Sequence, residues 1–281
     1  MKIIECPRDA MQGIHQFIPT ESKIKYINQL LKVGFDTIDF GSFVSPKAVP
    51  QMKDTAEVLE KLDIENSLSK FLAIIANGRG AEDALKYPAI NYLGFPLSIS
   101  ETFQQRNTNK SILQAFNAVE NIQNSCIKAG KTLVVYISMG FGNPYDDPYD
   151  ADEVLQFVNK LNSLKIGIIS LSDTIGVANP ALISQVFTNL KAEYPKIEFG
   201  AHLHSNPLNA IEKIEAAYLA GCNRFDGALN GLGGCPFAKD ELVGNMATQT
   251  IIRYLQEQDI QLNLNWEALK GSISMVKSVF Y

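Results

Sequence analysis

Cysteine, histidine and tryptophan are scarce in this sequence, and the few cysteines do not form a framework. The 281 residues include four cysteines, three histidines and one tryptophan, and no C-x-x-C pair occurs. Scattered cysteines are typical of a reduced, cytoplasmic protein and exclude a fold that depends on disulfides. A chain of this length can bury a sizeable core without such cross-links.

Long apolar runs, basic clusters and phosphate-binding loops are also missing. No apolar run approaches the ~20 residues of a membrane-spanning helix. Strand-like sequence from Lys2 onward leaves no room for a signal peptide, so we expect no membrane partner and a cytoplasmic location. The formal net charge is −5, so no nucleic-acid partner is expected. No G-x-G-x-x-G or P-loop follows the first strand-like segment, which disfavours an open nucleotide-binding sheet.

What the sequence does have is a regular alternation of short β-branched or aromatic runs with longer helical patterns. Strands are predicted at residues 2–6, 35–40, 71–76, 92–97, 132–139, 166–171, 198–204 and 224–229. Helices are predicted at residues 52–62, 81–86, 111–129, 152–164, 180–194, 208–220, 242–258 and 266–280, and another follows a Thr20 cap. Gly34, Gly130 and Gly221 each end a helix just before a strand. Eight repeats without a linker predict one α/β domain over residues 1–281, a (β/α)8 TIM barrel with additional C-terminal helices.

Two of the three histidines, His202 and His204, are separated by a single leucine within the seventh predicted strand. Side chains alternate between the faces of a strand, so both imidazoles project to the same side. Such a pair can bind one divalent metal ion. The alternative is that both histidines are hydrogen-bonded in a half-buried strand.

Polar residues follow the carboxyl ends of several predicted strands, which is where barrel enzymes place their active sites. These residues are Glu5, Arg8, Asp9, Gln12, Asp39, Ser42, Ser138, Asp173, Thr174, His202 and His204. Asp9 with the two histidines gives a two-histidine, one-carboxylate set, which favours Mg²⁺ or Mn²⁺ over a thiolate-bound structural zinc. Taken singly, Asp173 and Thr174 could cap a turn, and Arg8 with Asp9 could be a structural ion pair.

The segment 230–236 has three glycines within four residues and then Cys235. A loop of this composition can move and can let a substrate approach the backbone closely. A lone cysteine is more often buried and inert, but a glycine-rich loop is a poor place to bury one. Cys235 is therefore a candidate reactive thiol on a lid.

Five stretches together resemble 3-hydroxy-3-methylglutaryl-CoA lyases. They are Pro-Arg-Asp at 7–9 with Gln12, Ser-Phe-Val-Ser-Pro-Lys at 42–47 with Val-Pro-Gln-Met at 49–52, Ser-Asp-Thr-Ile-Gly-Val at 172–177, the two histidines, and Gly-Leu-Gly-Gly-Cys-Pro-Phe at 231–237. The resemblance covers nearly the whole chain. It implies a retro-Claisen cleavage of 3-hydroxy-3-methylglutaryl-CoA to acetyl-CoA and acetoacetate.

The same resemblance implies roles for individual residues. Asp9, His202, His204 and Asn245 would bind the divalent cation, Mg²⁺ or Mn²⁺. Arg8 would stabilise the enolate oxygen of the thioester, and Cys235 would be the loop thiol that carries a proton. Glu5 and Asp39 would support the site as acidic residues. Substrate binding is assigned to Arg8, Gln12, Ser138 and Asp173, and Lys47 and Arg106 are candidates for holding the CoA phosphates.

Several positions depart from the family pattern. The chain is one residue shorter between Glu5 and Arg8, Ala10 replaces a glycine, and Ser205 begins an altered exit from the seventh strand. One extra residue lies between Cys235 and Asn245. These changes keep a second reading open, a related lyase or synthase acting on another 3-hydroxyacyl-CoA or a 2-oxo acid. A third reading is an inactive barrel retained as a binding subunit, and a homodimer is an assembly that we also keep open.

Overall fold

The computed structural model describes residues 1–234 and 243–281. Within these residues, eight parallel strands form a closed barrel in which β1 pairs with both β2 and β8. The strands are β1 (Lys2–Glu5), β2 (Thr37–Ser42), β3 (Lys70–Ile74), β4 (Ile90–Ser98), β5 (Thr132–Ser138), β6 (Ile168–Asp173), β7 (Glu198–Ser205) and β8 (Arg224–Gly227). The predicted (β/α)8 barrel is confirmed. A short strand β9 (Gly244–Asn245) pairs antiparallel with the end of β7.

Helices surround the barrel and connect its strands. They are α1 (Pro7–Gln12), α2 (Thr20–Leu31), α3 (Thr55–Glu60), α4 (Gly78–Leu85), α5 (Glu101–Thr108), α6 (Ile112–Lys128), α7 (Ala151–Ser163), α8 (Pro180–Glu193), α9 (Ala210–Leu219), α10 (Thr248–Glu257) and α11 (Trp266–Phe280), with 3-10 turns at Pro50–Met52 and Leu229–Gly231. The additional C-terminal helices are therefore present. Among the described residues, no helix combines the length and apolar character needed to cross a bilayer.

The helix ends follow local chemistry that the sequence shows. Ser111 caps α6 in a reciprocal capping box with Gln114, which satisfies two backbone donors at once. Gly34, Gly130 and Gly221 all have positive φ angles of 65° to 86°, the conformation in which glycine ends a helix without steric cost. The predicted C′ position is confirmed for Gly130 and Gly221, whereas Gly34 lies one residue beyond C′ of α2, whose C-cap is Lys32.

Some local predictions were wrong. Thr20 does not cap α2, because Pro19 stands at the N-cap and Thr20 is the first helical residue; its hydroxyl donates to Asp54 instead. The helix predicted at 52–62 is a 3-10 turn and a separate α3. Helices α1 and α5 and strand β9 were missed because they are too short for a hydrophobic period to show. Leu242, where the next-to-last helix was predicted to begin, lies outside the described residues.

Two apolar clusters position the strands. The larger one lies between the strands and the surrounding helices. The smaller one, Leu72, Tyr92, Val134, Tyr136 and Ile168, fills part of the barrel interior. Side chains that face inward near the carboxyl ends of the strands are thus held from below by packed neighbours, which gives the mouth of the barrel a rigid base.

Candidate active site at the barrel mouth

A cavity of about 370 Å³ opens at the carboxyl ends of the strands. Its polar lining includes Arg8, Asp9, Gln12, Ser42, Arg106, Ser138, Ser172, Thr174, His202 and His204. Its apolar lining includes Val44, Ala48, Val49, Ile74, Pro96 and Phe103. A concave pocket with an apolar wall and a few convergent polar groups is the usual form of a small-molecule site.

Asp9, His202 and His204 meet in this cavity, and one potential ligand atom from each lies within 4.8 Å of the other two. The alternation along β7 produces this arrangement: the two imidazole centroids are 5.5 Å apart, while Leu203 packs into the core on the opposite face. His204 Nε2 is buried and has no hydrogen-bond partner in the described part of the chain. An orphaned imidazole nitrogen beside a carboxylate fits a divalent cation.

Each histidine is held through its Nδ1 atom. His204 Nδ1 lies 3.0 Å from the carbonyl oxygen of Thr174, so it must donate and Nε2 keeps its lone pair. His202 Nδ1 lies 3.2 Å from Asp226 Oδ2. A metal-binding histidine usually donates a hydrogen bond from its other ring nitrogen. The acceptor of that bond sets the tautomer and the orientation of the ring.

The two imidazoles differ in their affinity for protons. Burial lowers the pKa of His204 to about 4, and the neighbouring His202 adds to this effect. Burial also disfavours the charged form of His202, but its bond to Asp226 and the charge of that carboxylate outweigh this and raise the His202 pKa. At neutral pH the His204 imidazole is therefore neutral, whereas His202 binds a proton more readily.

Asp9 is surrounded by donors. Arg8 Nη1 lies 2.7 Å and Gln12 Nε2 lies 2.8 Å from its Oδ1 atom, and Asn245 Nδ2 lies 2.7 Å from Oδ2. Burial would raise the pKa of Asp9, but Arg8 and the two histidines outweigh it and lower the pKa to about 2. Asp9 is thus a permanent anion in this site, and strand β9 brings the amide of Asn245 into contact with it.

Arg8 is fixed by two carboxylates. Its Nε atom lies 3.1 Å from Asp39 Oδ2, and its Nη2 atom contacts the same oxygen. Its Nη1 atom donates hydrogen bonds to Asp9 and Gln12. Burial raises the pKa of Asp39 to about 6 against the opposing effect of Arg8, so Asp39 is ionised at neutral pH. This planar clamp restricts how the guanidinium can turn, and Arg8 still lines the cavity.

Some of the site residues proposed from the sequence line the cavity, and others lie outside its lining. Arg8, Asp9, Gln12, Ser138, His202 and His204 line the cavity, and Asp39 and Asn245 contact members of that group. Glu5 and Asp173 lie below the lining. Glu5 accepts from Leu229 N and Thr248 Oγ1, and Asp173 pairs with Lys213 at 2.7 Å. Cys235 lies outside the described residues, and Lys47 is not among the residues that line the cavity.

Three buried charged residues beneath the barrel mouth were missed. Asp226 is 2% exposed and Lys213 1%, and Arg224 lies inside the barrel floor with Nη1 3.2 Å from Glu198. The alternation within β8 puts Arg224 and Asp226 on one face, and this signal was available. No sequence signal indicated that Lys213 is buried, because a lysine within a helix normally reaches solvent.

A second group of potential ligands is Cys6, His202 and Asp226, whose ligand atoms also lie within 4.8 Å of one another. Burial and the neighbouring carboxylates raise the pKa of the Cys6 thiol well above its ordinary value, and only a thiolate binds metal well. The bond between Asp226 and His202 already uses the shared nitrogen. The set with Asp9 and His204 therefore fits a cation better.

Comparisons with known proteins agree with this geometry. The sequence model of the HMGL-like family matches residues 2–276. A hydroxymethylglutaryl-CoA lyase of Bacillus subtilis is 35% identical over 271 residues, which cover 96% of this chain and 90% of the relative. A 3-hydroxy-3-isohexenylglutaryl-CoA/hydroxymethylglutaryl-CoA lyase of Pseudomonas aeruginosa is 32% identical over 263 residues, 94% of this chain and 87% of the relative.

A solved structure shows the same likeness in three dimensions. An HMG-CoA lyase from Acinetobacter baumannii, in complex with coenzyme A and 3-methylmalate, superimposes with a TM-score of 0.91 at 31% sequence identity. The match covers 100% of this chain and 91% of the other.

Proposed function

Because this chain belongs to the HMGL-like family, we propose that it is a carbon–carbon lyase that cleaves 3-hydroxy-3-methylglutaryl-CoA to acetyl-CoA and acetoacetate. The reaction removes the proton of the tertiary hydroxyl, breaks the C2–C3 bond and releases acetoacetate. The electron pair of the broken bond passes to the acetyl-CoA enolate, which then takes up a proton at carbon.

The observation that carries this proposal is the cluster of Asp9, His202 and His204 beside Arg8 in one cavity. These three residues and Asn245 would hold Mg²⁺ or Mn²⁺, since neutral imidazole and carboxylate oxygen suit such ions. A bound divalent cation supplies a Lewis acid that lowers the pKa of a substrate hydroxyl. Asp9 is negatively charged and His204 is neutral at neutral pH, and these are the protonation states in which a carboxylate and an imidazole bind a cation.

Arg8 is placed to stabilise the enolate oxygen. Asp39 and Asp9 hold its guanidinium in a fixed plane, so little reorganisation is needed when negative charge develops on the thioester. Asp9 and His202 are the two candidates for accepting the hydroxyl proton.

Three further assignments complete the proposal. Cys235, which lies outside the described residues, would deliver the proton to the enolate carbon, as the resemblance implies. Arg106 lines the cavity and stacks over the ring of Tyr145, 4.7 Å from its centroid, and would meet a CoA phosphate. We further propose that the protein acts in the cytoplasm, and a homodimer stays open as its assembly.

A metal-dependent cleavage assay tests the function. Metal-free protein is supplied with 3-hydroxy-3-methylglutaryl-CoA, with or without Mg²⁺ or Mn²⁺, and acetoacetate is measured. We expect turnover only with the ion. A parallel assay with 3-hydroxy-3-isohexenylglutaryl-CoA and other acyl-CoA thioesters tests whether the protein is a related lyase with another substrate. Absence of turnover on every substrate would favour the third hypothesis, an inactive barrel that acts as a binding subunit.

A further inference from the structure

Lys213 on α9 is buried beneath the barrel mouth, with 1% of its surface exposed. Its ammonium group lies 2.7 Å from Asp173 Oδ2, 3.0 Å from the carbonyl oxygen of Gly176 and 2.8 Å from the carbonyl oxygen of His204. An ammonium has three donors, so all of them are used within the protein. None is left for a substrate.

The three acceptors belong to elements that together frame His204. Asp173 ends β6, Gly176 lies in the loop that follows, and His204 belongs to β7. Asp173 also closes this loop by accepting from the backbone N–H of Ala178 at 3.2 Å. Lys213 thereby ties the end of β7 to the loop of residues 173–178.

This loop supplies the partner of the His204 ring. The carbonyl oxygen of Thr174 lies 3.0 Å from His204 Nδ1, which leaves Nε2 buried, without a partner in the described residues and close to Asp9 and His202. Lys213 therefore acts on His204 from two sides, through its backbone carbonyl and through the loop that orients its ring.

We propose that Lys213 is a positioning residue that aims His204 Nε2 at the divalent cation. The inference rests on the proposed function, because it assigns Lys213 to the cation site of that reaction. Lys213 touches neither substrate nor cation, and it acts by holding one ligand in a single orientation and tautomer. Losses of about 10- to 100-fold in metal affinity are typical when such a supporting partner is removed.

The competing explanation is that Lys213 only neutralises the buried Asp173. Removing the lysine alone would leave a buried carboxylate unpaired and could unfold the protein. A double variant, Lys213→Met with Asp173→Asn, separates the two roles because it removes both charges together. The asparagine keeps an oxygen that can still accept from Ala178.

The chain contains a matched control. Lys23 is 2% exposed, and its ammonium lies 2.7 Å from Asp54 and also contacts the carbonyl oxygen of Gln51. Neither partner belongs to the cation site. The control protein is therefore Lys23→Met with Asp54→Asn, a buried lysine–aspartate pair that is neutralised in the same way.

The experiment is a Mn²⁺ titration of metal-free protein by calorimetry, with the nitrogen couplings of bound Mn²⁺ measured by pulsed electron paramagnetic resonance. We expect the folded Lys213→Met, Asp173→Asn protein to bind Mn²⁺ about 10-fold or more weakly and to show an altered coupling from one imidazole. The control should match the wild type in both measurements. If the double variant does not fold, Lys213→Arg replaces it, since it keeps a positive charge beside Asp173 while its planar guanidinium cannot donate to all three acceptors as the ammonium does, and the same loss is expected.

The outcomes are distinct. A folded Lys213 variant that binds Mn²⁺ with wild-type affinity and wild-type couplings overturns the positioning role and leaves the proposed function intact. An equal loss of affinity in the Lys23 control also overturns it, because the effect would then be general. Failure of the wild-type protein itself to bind Mn²⁺ would instead contradict the cation site, and the inference would fall with it.

Discussion

At the scale of single residues, Arg8 is the group with the most constrained geometry in the cavity. Two carboxylates and Gln12 use most of its donors, so its position is set before any substrate binds. Preorganised charge contributes most when negative charge develops in the transition state.

We expect Arg8→Met to lower kcat and kcat/KM together by a factor on the order of 10³, because the lost interaction exists mainly in the transition state. Steady-state kinetics with saturating Mn²⁺ measures the effect. Arg8→Lys is the comparison: it keeps the charge but loses the planar clamp on Asp39, and it should recover only part of the rate. A normal kcat with a raised KM would make Arg8 a residue for ground-state binding.

His204 offers the most direct test of the cation site. His204→Ala should weaken Mn²⁺ affinity by roughly 10-fold or more, since its Nε2 is the orphaned atom of the cluster. Calorimetric titration measures the affinity, and circular dichroism checks the fold. His15→Ala is the control, because His15 is exposed. Equal affinity in the His204 variant and the wild type would show that the ligand assignment is wrong.

The cysteines should differ in reactivity. Cys6, Cys126 and Cys222 are 0–2% exposed, and burial raises the pKa of each thiol, so iodoacetamide should label them slowly. We expect Cys235 to be labelled faster and to be protected by a substrate analogue with Mg²⁺. We also expect Cys235→Ala to lose most turnover while keeping metal binding, because a proton carrier holds neither partner. Mass spectrometry of labelled peptides and an activity assay check both expectations.

At the scale of elements, Glu5 connects parts of the chain that lie far apart. From the end of β1 it accepts from the backbone N–H of Leu229, after β8, and from Thr248, at the start of α10. Complete burial raises the pKa of Glu5 from 4.5 to about 8, although both hydrogen bonds oppose this shift. Glu5 is therefore largely protonated in the folded protein at neutral pH.

This pKa predicts a pH dependence of stability with a definite sign. A carboxyl group that binds its proton more tightly when folded contributes stability that is fully present below pH 4.5. That stability is lost as the pH rises toward about 8. Glu5→Gln, a neutral mimic, should flatten the decline of the free energy of unfolding between pH 5 and 8. Urea titrations of both proteins across this range measure the difference, and parallel curves would contradict the prediction.

At the scale of the whole molecule, the proposed cation site joins distant parts of the sequence. Asp9 follows β1, the two histidines lie on β7, and Asn245 lies on β9, 236 residues from Asp9. An ion that binds only the folded arrangement must stabilise the entire fold by mass action.

We accordingly expect Mn²⁺ to raise the melting temperature of the metal-free protein, with a stabilisation of about 2.7 kcal/mol when the ion is at 100 times its Kd. Differential scanning fluorimetry over a Mn²⁺ series measures the shift. In the His204→Ala variant, the same rise in melting temperature should require higher Mn²⁺ concentrations. A shift of the same size at the same concentrations in that variant would point to binding elsewhere on the surface.

The barrel and most of the residues at its mouth could be predicted from the sequence alone. Eight apolar strand patterns, glycine helix ends and the spacing of His202 and His204 are local features, because backbone geometry over a few residues decides which way side chains point. Parallel strands in a closed barrel then bring their carboxyl ends to one face. Arg8, Asp9, Gln12 and Ser138 could be placed at the mouth from this alone.

The contacts that support these residues could not be predicted, because they form between segments that meet only in the folded protein. Lys213 lies 40 residues from Asp173, Asp226 lies 24 residues from His202, and Glu5 lies 243 residues from Thr248. The charge state and the role of a buried group depend on desolvation and on partners brought close by folding. No pattern within a strand or a helix contains that information, so Asp173 and Glu5 acquired their buried partners only in the folded barrel.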